Sequence, residues 1–295
     1  MTTSTAIQMM KPITVSRSAL RISTLRASFQ KRDNGTVLTA KYHTAPIKIA
    51  KAFPLGGGQL GVIVMDVSPG LLAGDRYEFQ WQVEEDAHVY LTNQSFTKVH
   101  PSSENGEGAS MSQWFELGHG AVVESMPEPL MLYRDSAFFS ESEVRLSPEA
   151  VWMGAEVVCP GRTLRGELFA YREFRNKLNV YYQDQLIYAQ NQWIQPSLQQ
   201  LSAPGCMSDM THTGLFYAFS DRIGAREAEI VREALVACPE REGQAVTWGV
   251  SLTYKHGLSV MAAGKAAWVL QERLAAAWSA LRLHLLQLEP LKLLK

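Results

Sequence analysis

A chain of 295 residues with 46% hydrophobic and 19% charged residues is long enough to bury a sizeable core and has the balance of a globular protein. Its formal net charge of −1 gives no electrostatic reason to expect nucleic acid or an anionic membrane as partner, so recognition must rest on shape and local patches. The three cysteines, Cys159, Cys206 and Cys238, are odd in number, far apart and without CxxC spacing. That excludes a disulfide framework or zinc ribbon and fits a reducing compartment.

The opening Met-Thr-Thr-Ser-Thr lacks the apolar core of a signal peptide, and no apolar run reaches the roughly 18 residues of a membrane span. The expectation is a cytoplasmic protein with a flexible polar segment over residues 1–16 and a single domain over residues 17–295. From Leu20 to Thr253 the dominant period is two. Residues 77–84 alternate without a fault (Tyr-Glu-Phe-Gln-Trp-Gln-Val-Glu), which predicts a strand with one dry face. A weaker alternation covers residues 109–117. Residues 178–182 and 186–188 flank Gln183-Asp184-Gln185 and predict a hairpin, and residues 246–254 alternate again before a turn at His256-Gly257.

Two late segments switch to the helical period. Residues 221–237 place Ile230, Val231, Ala234 and Leu235 on one face before Pro239. Residues 265–288 place Leu270, Leu274, Ala277, Trp278, Leu281, Leu285 and Leu288 on a wide apolar face before Pro290. That face is broader than a coiled-coil seam, so this helix is expected to dock on the sheets of its own domain. Many strands followed by two helices do not form a doubly wound parallel sheet. No fixed-period repeat stands out, so periodicity does not predict a regular solenoid.

Gly56-Gly57-Gly58-Gln59-Leu60-Gly61 matches GxGxxG in form, but Pro54 precedes it and the strand-like Val62-Ile63-Val64-Met65 follows. A dinucleotide fingerprint needs a helix there, so a loop is expected. The seven histidines show no metal-ligand spacing; Cys206 and His212, six residues apart, are the weak metal candidates. Asp75, Lys98, Glu124, Glu156, Arg162 and Glu167 sit at strand ends or between glycines. Residue chemistry alone leaves three readings open for them: acid and base groups of a hydrolase or lyase, buried ion pairs fixing loops, or solvated strand ends.

These same segments resemble the UreD (UreH) family of urease accessory proteins, in the family's order. Thr36-Val37-Leu38 with residues 42–48 (Tyr-His-Thr-Ala-Pro-Ile-Lys) is similar to the opening "T-L...PLK" stretch, and residues 69–75 to a "GG-x-x-GGD" turn with Pro69 and Ala73 replacing glycines. Residues 91–99 (Leu-Thr-Asn-Gln-Ser-Phe-Thr-Lys-Val) resemble "TTQAATKVY", residues 123–129 resemble "LEWLPQP", and Gly161-Arg162 with Gly166-Glu167-Leu168-Phe169 resembles "GR...GE-F". The chain departs from the pattern at residues 258–264, where Met261 or Ala262 stands in place of an arginine.

The resemblance implies a mainly β fold, a helix-like stack of β-sheets with two α-helices near the C-terminus. It implies a non-catalytic scaffold that binds UreF, through it the GTPase UreG, and the urease apoprotein, and that helps nickel reach the urease active site. The six charged residues then become structural, partner or passage groups, and a polar passage would relay hydrated nickel without holding it. No cofactor is expected to bind tightly, with transient nickel contact as the exception, because no segment supplies three or four ligands at local spacing. Two readings from other classes stand beside this one: a β module binding carbohydrate or protein, and a carboxylate-dependent enzyme acting on polysaccharide.

Overall fold

The computed structural model describes residues 21–103 and 105–291; the polar segment expected at residues 1–16 lies outside them. The described residues begin with two antiparallel hairpins, β1 (Arg21–Arg32) with β2 (Gly35–His43) and β3 (Ile47–Pro54) with β4 (Leu60–Asp66). It then winds between two sheets. β5 (Asp75–Val83) lies in the first sheet and β6 (His88–Asn93) in the second. After the short β7 (Thr97–Val99), β8 (Ala109–Leu117) returns to the first sheet and β9 (Val122–Ser125) to the second. The short β10 (Leu130–Leu132) precedes β11 (Ala137–Leu146) in the first sheet, β12 (Val151–Cys159) in the second and β13 (Glu173–Tyr182) in the first.

Successive visits to a sheet stack in parallel: β1, β5, β8, β11 and β13 on one side, β4, β6, β9 and β12 on the other. This is the helix-like stack of sheets expected from the resemblance. Its coils are unequal, since the first-sheet strands begin at Asp75, Ala109, Ala137 and Glu173. That is why the sequence shows no fixed period. At one end the coils turn through residues 84–87, 118–121 and 147–150, all alike. The third residue of each turn has left-handed φ (Asp86 +54°, Gly120 +63°, Glu149 +61°), and the fourth is a buried alanine (Ala87, Ala121, Ala150). Neighbouring turns hydrogen-bond to each other, Asp86 N to His119 O at 3.0 Å and Gly120 N to Pro148 O at 3.1 Å. At the other end the connections are long and irregular.

Antiparallel strands finish both sheets. β14 (Gln185–Ile194) pairs with β13 through the expected hairpin, whose Gln183 and Asp184 both have positive φ, the geometry of a tight primed turn. β15 (His212–Phe219) pairs with β12, and β16 (Val246–Leu252) and β17 (Gly257–Gly264) continue the second sheet beyond it. Helices α1 (Ala225–Ala237) and α2 (Ala267–Leu286) cover the outer face of the second sheet. Among the described residues no helix is long and apolar enough to cross a membrane.

The molecule therefore has three layers and two cores. Leu25, Phe29, Trp81, Phe115, Trp152, Phe174 and Phe219 fill the space between the sheets. Tyr90, Met153, Phe216, Val231, Leu258, Leu270 and Leu281 fill the space between the second sheet and the helices. Alternation serves both: Trp152 and Val158 of β12 face the first core, while Met153 and Val157 face the second.

The helices are shorter than their sequence windows. α1 starts at Ala225 because Asp221 bonds elsewhere, its Oδ2 accepting from Glu149 N at 3.0 Å and Tyr182 Oη at 2.8 Å. Glu227 then caps the helix by accepting from Gly224 N at 2.9 Å. α2 ends in a left-handed Gln287, which turns Leu288 off the helix and against Gly57; a Cβ there would come within 2.5 Å of Leu288 Cδ2.

Docking of α2 within the domain sets an expectation for paired substitutions. Leu281 is buried in the second core and Leu283 faces water. Leu281→Ala should cost about 2–5 kcal/mol in denaturant unfolding, and Leu283→Ala should stay within about 0.5 kcal/mol of wild type. Equal losses would show that α2 is not seated as described.

Candidate functional site

Glu124 on β9 points out of the stack toward α2 and is 0% exposed. Four side chains converge on its carboxylate. His88 Nε2 on β6 donates at 2.6 Å, Gln59 Nε2 at 2.5 Å and Trp278 Nε1 at 2.5 Å, and Arg282 Nη1 completes the set as a buried ion pair. A carboxylate can only accept, so the imidazole proton in this contact sits on Nε2. Arg282 is satisfied in turn: its Nε donates to Glu289 O at 2.8 Å and its Nη2 to Gln59 Oε1 at 3.1 Å. Burial alone would raise the Glu124 pKa, but the hydrogen bond and charge of His88, followed by Arg282, pull it below its ordinary value. Of this cluster, only Glu124 is among the sequence candidates. Its partners come from the loop before β4, from β6 and from α2. The one sequence signal was a pair of arginines, Arg273 and Arg282, inside the apolar stripe of a helix. Arg273 is the second buried one and donates to Leu235 O, Cys238 O and Pro239 O at the end of α1.

The irregular end of the stack gathers the other charged candidates. Asp75 opens β5 and accepts from Leu72 N at 2.8 Å, closing the residue 69–75 turn. Lys98 is an exposed residue of β7, and its backbone oxygen accepts from Leu71 N at 2.8 Å. The two candidates thus border the same turn from opposite sides. Gly70, at φ +129°, lies so close to Lys98 that a Cβ would fall 2.4 Å from its carbonyl oxygen. β7 pairs with β10, and β10 with β12, which carries the chain to Gly161. There Arg162 forms a two-pronged ion pair with Glu167: Nε donates to Oε2 at 2.8 Å and Nη2 to Oε1. The Arg162 hydrogen bond holds the Glu167 carboxyl down at about 2, against the opposing effect of burial. That pair was expected from its local spacing.

Glu156 lies elsewhere, on the inner face of β12. It borders a cavity of about 150 Å³ between the two sheets, lined mostly by apolar and aromatic side chains such as Ile47, Val64, Tyr77, Phe79, Trp81, Leu91, Met111 and Phe138, with polar groups from Thr92, Asn93, Gln113, Ser125, Ser140 and Glu156. Exposed Asp66, Gln94 and Ser95 at its rim place the mouth at the irregular end. Asn176 Nδ2 of β13 donates to Glu156 Oε1 at 2.8 Å, joining the sheets across the interior. Burial pushes the Glu156 carboxyl up to about 7, and the Asn176 bond offsets part of the rise.

The structure does not bring Cys206 and His212 into a site. Cys206 is exposed in the turns after β14, whereas His212 begins β15, is buried, and has its pKa lowered to about 4 by desolvation. Among the described residues no group of three or more His, Cys, Asp or Glu side chains is placed to hold a metal ion. The Gly56–Gly58 segment is a 3-10 turn leading into a strand, so the loop reading stands.

Two measurements check this electrostatic picture. Arg282→Met leaves the Glu124 carboxylate buried without its cation and should cost about 3–5 kcal/mol in equilibrium unfolding; a loss below about 1 kcal/mol would mean that water reaches it. For Glu156, the folded carboxyl at about 7 keeps a proton that the unfolded chain releases near 4.5. Stability should therefore fall as pH rises from about 4.5 to about 7 and level off above that. Glu156→Gln cannot ionise, so its melting temperature should gain on wild type between pH 5 and pH 8. A constant difference across that range would refute the buried-acid assignment.

Comparison with known proteins agrees with the geometry. Residues 22–293 match the family described as UreD urease accessory protein. A urease accessory protein UreD of Acetivibrio thermocellus is 33% identical over 233 residues, covering 79% of this chain and 86% of that protein. The protein of the same name from Actinobacillus pleuropneumoniae serotype 3 is 32% identical over 203 residues, covering 68% and 74%. The one from Haloarcula marismortui is 28% identical over 265 residues, covering 89% and 86%. With a parallel two-sheet stack capped by two helices and a match over most of its length, this chain belongs to the UreD family of urease accessory proteins.

Proposed function

We propose that the chain is a cytoplasmic, non-catalytic scaffold that binds UreF, through it UreG, and the urease apoprotein, and gives nickel a polar route toward the urease active site. The observation that supports this reading is the cavity between the sheets, open among the irregular loops, whose mainly apolar wall carries hydroxyl, amide and carboxyl oxygens from Thr92, Asn93, Ser125, Ser140 and Glu156. Such hard donors bind nickel weakly compared with imidazole or thiolate sets, and a weakly bound cation can be passed on. Glu156 fits the role of a group that changes charge in the interior, since its carboxyl sits near neutrality. Glu124 and the Arg162–Glu167 pair act in this reading as structural members that hold the route's walls and rim. Nickel is cargo here, and no cofactor is held.

Two experiments carry the test. Equilibrium titration of the isolated protein with nickel should reveal no stoichiometric sub-micromolar site; such a site, lost on Cys206→Ala or His212→Ala, would make the chain itself a nickel carrier. Removing the protein from an otherwise complete urease system should abolish activation at low nickel. Full activation without it would remove the proposed role.

A further inference from the structure

Residues 161–169 hold an apolar tip out in water. Leu164 is 103% exposed and Leu168 49%, although large apolar side chains ordinarily turn inward where the loop allows it. This loop does not allow it. The Arg162–Glu167 pair clamps its two ends, Arg134 N donates to Glu167 Oε2 at 3.3 Å, and the Arg162 guanidinium stacks 4.2 Å from the Tyr133 ring. Arg165 N bonds to Arg162 O at 2.7 Å and Phe169 N to Pro160 O at 3.0 Å. Gly161, at φ +141°, passes so near Glu167 that a Cβ would meet its carbonyl oxygen at 2.6 Å. The tip is thus ordered before any partner arrives, which lowers the entropy lost on docking.

The ground around the tip is basic. Lys98, Arg134 and Arg165 are exposed, and no hydrogen bond or ion pair of their side chains is found among the described residues. Lys98 stands opposite Met131 in the β7–β10 pairing, and β10 leads directly to Tyr133 and Arg134, so these cations and the clamped loop form one surface. Asp135 is the exposed carboxylate beside them. In a chain whose formal net charge is −1, three free cations around an apolar knob are a local asymmetry.

We propose that this loop is a docking knob for a partner protein whose surface offers an apolar socket rimmed by carboxylates. The inference rests on the scaffold reading above and assigns its contact surface. The knob supplies the desolvated centre of the interface, and the cations steer encounter and fix orientation.

The test measures binding of the full chain to purified UreF and to the urease apoprotein, with wild type, Leu164→Ser, Arg165→Glu and, as a control at the short-turn end, Tyr254→Ser. All three side chains are exposed, so melting temperature should not move. For a probe that wild type binds, Leu164→Ser should weaken affinity at least about tenfold. Arg165→Glu should slow association and flatten its salt dependence. Tyr254→Ser should match wild type. If Leu164→Ser and Arg165→Glu both bind within about twofold of wild type, the knob is overturned and the scaffold reading stands. If wild type binds neither probe, both fall. Loss of self-association in Leu164→Ser with unchanged probe binding would instead make the knob a contact between copies of this chain and overturn the proposal.

Discussion

A carboxylate with no access to water must find its partners inside the protein or lose its charge, and Glu124 finds four. The consequence is architectural. Gln59 precedes β4, His88 opens β6, Glu124 lies in β9, and Trp278 and Arg282 come from α2, so one acceptor ties three parallel coils of the second sheet to the helix that covers them. Interdigitated apolar packing limits where α2 can sit, and the directional bonds to a single buried carboxylate restrict it further. A buried anion matched by a guanidinium and an indole N–H adds to the apolar seating of Leu270, Leu274 and Leu281 a bond geometry that one position of the helix satisfies. Such a device contributes more to uniqueness than to net stability, since desolvating the pair offsets much of its attraction.

The two ends of the stack divide the work. Uniform turns at one end keep the coils aligned. Length varies at the other, in residues 94–108, 126–136 and 160–172, and the resemblance segments at residues 69–75, 94–99, 126–129 and 161–169 meet there, while Thr36 lies at the short-turn end and accepts from His88 N. The Arg162–Glu167 clamp, the Asp75 turn and the mouth of the interior cavity share that end, so the ordered loops and the polar route are parts of one surface.

How far the sequence discloses this depends on how local the physics is. First-sheet strands such as β5 alternate cleanly because one face meets the inner core and the other meets water. β12 and β15 are buried on both faces, so their apolar runs carry no period and neither stands out as a strand. The Arg162–Glu167 pair is legible because five residues separate its members, while the Glu124 cluster is not, because Arg282 lies 158 residues away. α2 is legible from its apolar stripe, yet the start of α1 is misplaced by four residues because Asp221 answers to Tyr182 and Glu149 rather than to its own helix.

The stacked turns of residues 84–87, 118–121 and 147–150 bond to one another, so each coil takes its position from the one before. One residue inserted into any of them would invert every inward side chain of the strand that follows, until a bulge absorbed it. The same residue inserted into a long loop at the opposite pole would lengthen only a surface excursion. Growth of the chain is therefore permitted at one pole and forbidden at the other. The pole that is free to grow is the one that meets the outside world through Leu164 and the cavity mouth.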